Sequence, residues 1–278
     1  MRLKGGKQSR NVEDRRRVSG GAVGGIGGVA LLAILAIGYF TGIDVTPLLQ
    51  GASQQQSGPP RDLSPQEQQA GEWVSGVLAT TETVWANQFR QELGRDYRPP
   101  VLVLFSGVTQ SPCGGASGAT GPFYCPGDRK AYLDTEFFAT LASRLGAKGD
   151  FAAAYVIAHE VAHHVQNELG ILGEANSMRA QATEAESNAI SVRIELQADC
   201  LSGVWASKVD HLLDPGDLEE ALNAARMIGD DTLQKRAGQV PQPHTFSHGT
   251  SAQRAKWFAT GYEAGEIAAC DTFRARTL

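Results

Sequence analysis

Two histidines four residues apart, with a glutamate beside the first, are the part of this sequence best equipped for chemistry: His159-Glu160-Val161-Ala162-His163. Ala154-Tyr155-Val156-Ile157-Ala158 before it and Val165 after it predict an apolar helix. On a helix, four residues advance the chain by about 400°, so the two rings stand one turn apart and only ~40° out of line. Two imidazoles placed so can bind one metal ion. Glu160 is rotated ~100° from His159, and its carboxylate can serve an attacking water without becoming a ligand. Hydrolysis of a carbonyl compound needs this division: a metal that lowers the pKa of water, and a base that takes the proton.

A third ligand is sought in the acidic residues that follow. Glu195, in Glu195-Leu196-Gln197-Ala198-Asp199, lies 32 residues beyond His163, a distance a helix–turn–helix return can span. His159, His163 and Glu195 together form the two-histidine, one-glutamate set that catalytic zinc takes, with a position left open. Asp199 is one turn beyond Glu195 on the same face, where it can accept the second ring N–H of a ligand histidine, His159 first among them. Glu184 and Glu186 are weaker candidates, having no such partner. His164 points ~100° away from His163 and reads as structural or surface; His211 reads as incidental. A donor for the oxyanion of a tetrahedral intermediate is also required. His248 is the leading candidate, ahead of His244, with Tyr132 and Tyr155 as rivals. The plain alternative for Ser247-His248-Gly249-Thr250-Ser251 is a helix entry capped by Thr250 or Ser251.

The elements that must position these groups are legible in outline. Ser64-Pro65-Gln66-Glu67 has the form of a capping box with proline at the first helical position, opening a helix to about Leu93. Trp73, Val74, Val77, Leu78, Val84, Trp85 and Phe89 give it one apolar face. Val101–Phe105 is an unbroken apolar run, expected as a buried strand, and residues 131–133 as a second strand. Helices are expected near 135–145, 151–169, 175–208, 217–227 and 251–264. A small sheet followed by helices is an α+β pattern. The segment Tyr132-Leu133-Asp134 reads either as a strand that pairs with an extended substrate or as an ordinary interior strand.

The net charge of −5 gives no general attraction to nucleic acid, and none is expected as a partner. Charge is uneven, however. Arg2, Lys4, Lys7, Arg10, Arg15, Arg16 and Arg17 precede an uncharged stretch from Val18 to Ile43. As a helix that stretch would be about 39 Å long, enough for a bilayer core of ~30 Å. The expected organisation is a basic cytoplasmic tail at 1–17, a single transmembrane helix at 18–43, a Gly/Pro-rich linker at 44–63 and a folded domain at 64–278 outside the cytoplasm. A cleaved signal peptide is the competing reading, and no convincing small-residue cleavage site follows the apolar run. Four cysteines without CxxC spacing suit two disulfides in an oxidising compartment, Cys113 with Cys125 and Cys200 with Cys270.

Several segments together resemble a known family. They are Pro122-Phe123-Tyr124-Cys125-Pro126, Tyr132-Leu133-Asp134, the run from Tyr155 to Gln166, Glu195 to Cys200, and Ser247 to Ser251. They are similar to the bacterial neutral zinc metallopeptidases, from about Cys113 to Cys270. That resemblance implies zinc on His159, His163 and Glu195, a catalytic Glu160, and a zincin-like α+β domain acting on peptide or protein substrates. The rival expectation is a non-catalytic envelope protein that keeps zinc for structure and binds a partner. The two differ at Glu160: a structural role gives it a stabilising partner, a catalytic role leaves it facing a cleft.

Overall fold

Helix α1 (Pro65–Leu93) starts on the expected capping box. The Ser64 hydroxyl accepts from the Glu67 amide, the Glu67 carboxylate accepts from the Ser64 amide, and Gly94 ends the helix in a left-handed conformation. Its face buries Val74, Val77, Leu78, Trp85 and Phe89. The computed structural model describes residues 1–3, 5–17, 61–117, 121–143 and 146–278. The expected membrane span at 18–43 and most of the linker lie outside the described residues. Among the described residues no helix is long and apolar enough to cross a membrane.

The architecture is a mostly helical α+β fold with small sheets, consistent with the expected zincin-like arrangement. Strand β2 (Val101–Phe105) pairs in parallel with β6 (Lys130–Asp134). Strand β1 (Val12–Asp14) lies parallel on the outer side of β2, and β5 (Phe123–Cys125) antiparallel on the outer side of β6. The order is therefore β1-β2-β6-β5. Strands β3 (Val108–Ser111) and β4 (Gly114–Ser117) form a separate hairpin. Strand β6 lies between β2 and β5, so Tyr132-Leu133-Asp134 belongs to an interior strand, although β5 pairs only with residues 130–132 of it. The free edge on that side belongs to β5.

Helices α2 (Phe137–Ser143), α3 (Asp150–Glu168), α4 (Ile171–Arg179), α5 (Glu184–Lys208), α6 (Asp217–Met227), α7 (Asp230–Arg236) and α8 (Ser251–Ala264) follow. The single long helix expected over 175–208 is two helices. Thr183 and Glu186 form a capping box that opens α5 afresh after the end of α4. Helix α7 was not anticipated. Helix α3 is the centre of the core: every residue from Phe151 to Ala162 is buried. Helices α1, α5 and α6 pack around it.

Helices α5 and α8 approach closely because two glycines face each other's backbones. A β-carbon on Gly261 would lie 1.8 Å from the Cys200 carbonyl oxygen, and one on Gly203 2.0 Å from that of Phe258. Gly261→Ala must push the helices apart, and overpacking of this kind costs about 1–3 kcal/mol. Thermal melting of the variant is expected to fall by several degrees; an unchanged melting point would show that the contact is not tight. Two disulfides form, Cys113–Cys125 and Cys200–Cys270, the pairs expected from the sequence. The second ties α5 to the 3-10 turn Ile267–Cys270 beside α8.

The described residues of 1–17, a segment expected as a tail apart from the domain, instead pack on it. Val12–Asp14 extends the sheet, and Arg16 is buried. The amino group of Met1 lies 3.0 Å from Asp150 and 3.1 Å from Asp217. The physical reason is that β2 offers an open parallel edge and the domain offers carboxylates, both of which are tertiary features.

Candidate metal centre

Helix α3 supplies His159 and His163 one turn apart, with ring centroids 4.8 Å apart and planes nearly perpendicular. Helix α5 brings Glu195 against both. Its Oε2 is 3.1 Å from His159 Nε2 and its Oε1 3.5 Å from His163 Nε2. One donor atom from each residue lies within 4.8 Å of the others.

The other ring nitrogens decide the chemistry. His159 Nδ1 lies 3.0 Å from the Asp199 carboxylate, so it carries the ring proton there. His163 Nδ1 lies 2.8 Å from Gln166 Oε1. The Gln166 amide is oriented by its own Nε2, which donates to the Ile194 carbonyl and to Gln197 Oε1, so Oε1 must accept from His163. Both Nε2 atoms are then turned toward the Glu195 carboxylate. Two nitrogens and a carboxylate that converge in a buried site call for a cation among them, a proton or a metal ion. A divalent metal with two nitrogens and one oxygen, bonded at ~2.0–2.2 Å, fits that donor set. The titration behaviour agrees. Burial pulls His159 down, yet its bonds to Asp199 and Glu195 outweigh this and push it up to about 10. Burial likewise opposes ionisation of Glu195, but the two imidazoles hold it well below its ordinary value. The site demands positive charge.

Asp199 is fully buried and closes a network behind His159. Arg254, on α8, donates Nε and Nη2 to its two oxygens, each at 2.9 Å, and Nη2 also reaches Tyr155 Oη at 3.2 Å. The Tyr155 hydroxyl donates to Asp199 in turn. Burial would raise Asp199, but the Arg254 guanidinium and the His159 bond hold it low.

Glu160 opens onto a cleft of about 520 Å³ together with both histidines, Glu195 and His248. It has no hydrogen bond or ion pair among the described residues. Burial raises its pKa, against the pull of His159 and His163. The cleft walls are largely apolar, from Phe123 and Tyr124 of β5 on one side to Ile228 and Leu233 on the other.

The chain matches the sequence profile of the putative neutral zinc metallopeptidases over residues 1–273. The chain belongs to that family. A relative, the Escherichia coli protein named "Uncharacterized protein YpfJ", is 46% identical over 287 aligned positions, covering 98% of this chain and 99% of that protein. An uncharacterized Mycobacterium tuberculosis protein is 45% identical over 195 positions, covering 66% of this chain and 65% of its own length. No solved structure matches.

The remaining candidates of this family member sort by position. His248 faces the cleft; its Nδ1 lies 3.2 Å from Asp230 Oδ1, and that bond raises its pKa. Asp230 Oδ2 accepts from the amides of Ser247, His248 and Gly249, which fixes the loop. Tyr155 lines the cleft, but its hydroxyl is committed to Asp199 and Arg254. Tyr132 bonds Asp128 and stacks on Phe123, away from the metal ligands. His244 lies in the turn Pro243–Thr245, outside the cleft. His164 is buried between the Tyr124 hydroxyl and the Arg98 carbonyl, a structural residue. Glu184 and Glu186 serve the start of α5. Thr250 caps α8, so the helix-entry reading of this segment also holds. Asp230, Arg254 and Gln166 escaped sequence reasoning. Only Gln166 left a signal, being three residues after His163 and so on its face of the helix. In a second acidic group, Asp150 with Asp217 and Glu220, the two aspartates already bind the Met1 amino group.

Proposed function

We propose that this protein is a zinc-dependent endopeptidase in which His159, His163 and Glu195 hold the metal and Glu160 is the general base. One observation carries the reading: two imidazole Nε2 atoms and a carboxylate converge beside a buried glutamate that has no hydrogen bond or ion pair among the described residues and faces a cleft. When bound, zinc supplies the Lewis acidity that makes water a nucleophile at neutral pH. Glu160 takes the proton from the attacking water, and its raised pKa suits a base that must later give that proton to the leaving amine. His248, held at Nδ1 by Asp230, presents Nε2 to the developing oxyanion. Asp199 and Arg254 fix the ring of His159 from behind. An extended substrate pairs with the free edge of β5, beside the apolar cleft walls.

The rival, a structural zinc site in a partner-binding module, gives Glu160 no purpose. Two disulfides favour an oxidising compartment outside the cytoplasm, and the uncharged stretch 18–43 is the proposed means of membrane attachment. The test is turnover of a quenched peptide library by the full-length protein, before and after chelation. Cleavage that stops on chelation and returns with zinc is expected. Turnover indifferent to chelation would remove the metal from the reaction, and zinc-replete protein that cleaves no peptide would favour the rival.

A further inference from the structure

We infer that residues 1–17 are a working part of the folded domain and lie on the same side of the membrane as the metal centre. The single-crossing topology drawn from the charge pattern would put them on opposite sides. The packing contradicts that separation at three points.

The first is the sheet. Strand β2 is an apolar run whose residues 102–105 are all buried. One edge is taken by β6; the other is covered by Val12–Asp14, in register with Leu102–Leu104. Without that strand, β2 would present a bare apolar edge, which folded proteins avoid because it templates aggregation. The second is Arg16, only 3% exposed. Its Nε and Nη2 bind the Asp14 carboxylate at 2.9 and 2.6 Å, and Nη1 donates to the Glu67 carbonyl of α1. The receiving surface is shaped for it: a β-carbon on Gly71 would lie 2.3 Å from Arg16 Nη2. Glycine inside a helix costs about 1 kcal/mol relative to alanine, so its place here has a reason. The third is Glu82 of α1, whose Oε1 accepts from both Ser9 and Asn11, at 2.5 and 2.7 Å. A buried guanidinium, a strand and a shared carboxylate would all lose partners if residues 1–17 were drawn to the far side of a bilayer.

A chain that crosses a membrane once between residues 17 and 61 cannot keep these contacts. Three of the basic residues then act as intramolecular ligands: Arg2 is held by Asp214 and the His211 carbonyl, Arg15 by Glu13, and Arg16 by Asp14 and the Glu67 carbonyl. This inference does not depend on zinc or on peptidase activity.

The experiment uses the full-length protein in its native membrane and a membrane-impermeant maleimide. Gln8→Cys and Thr277→Cys place single thiols at exposed positions, one in each segment, without changing the number of basic residues. Labelling is read in intact cells with the outer permeability barrier opened, and again after detergent lysis. Both thiols are expected to behave alike, either both labelled before lysis or both only after. The first outcome also puts the domain outside the cytoplasm and the second puts it inside. Labelling of Thr277→Cys before lysis with Gln8→Cys protected until lysis would overturn the inference, as would the reverse.

Discussion

Glu160→Gln is expected to lower peptide turnover by roughly 10²–10⁴-fold, the usual worth of a general base, while zinc content and melting stay close to wild type. The amide has nearly the shape of the carboxylate, and Glu160 makes no hydrogen bond among the described residues. It cannot accept the proton as water attacks. Two electrostatic effects on stability oppose each other. Removing the charge relieves the desolvation that raises the pKa of Glu160, and also removes its attraction to His159 and His163. Equal turnover by variant and wild type would show that Glu160 is not the base.

Arg254→Met is expected to be among the most destabilising single changes in the molecule. Its guanidinium makes two bonds to the fully buried Asp199 carboxylate. Truncation would leave that charge with only the His159 and Tyr155 protons. Breaking a buried pair by removing one partner typically costs about 3–5 kcal/mol. For a domain of this size each kcal/mol lowers the melting point by about 2–4 °C, so a fall on the order of 6–20 °C should be seen by calorimetry. Asp199 also orients His159, and loss of such an outer partner weakens metal affinity by about 10–100-fold. The double variant Arg254→Met with Asp199→Asn should recover part of the stability, because no unpaired charge remains. A melting point within a degree or two of wild type for Arg254→Met would contradict the ion-pair account.

The sequence carried the local half of this site. His159, Glu160 and His163 needed only helical geometry, and the Ser64 capping box needed only its spacing. Glu195 and Asp199 followed from a second helix. Missing was what depends on tertiary approach. Arg254 meets Asp199 across 55 residues because α5 and α8 cross at Gly203 and Gly261, and no periodicity reports that crossing. Asp230 binds three amides of a distant loop and has no motif. The break between α4 and α5 was legible in Thr183 and Glu186, but the apolar pattern running through it hid the boundary. The basic residues 1–17 have the composition of a topology signal, while their packing depends on partners elsewhere in the chain, among them β2, Glu67 and Glu82.

The central claim is that His159, His163 and Glu195 form one metal centre, and metal content tests it most directly. Purified full-length protein is expected to hold about one zinc per chain by elemental analysis. Glu195→Ala and His163→Ala, folded by circular dichroism, are expected to lose most of it after dialysis. Undiminished zinc in both folded variants would contradict the account.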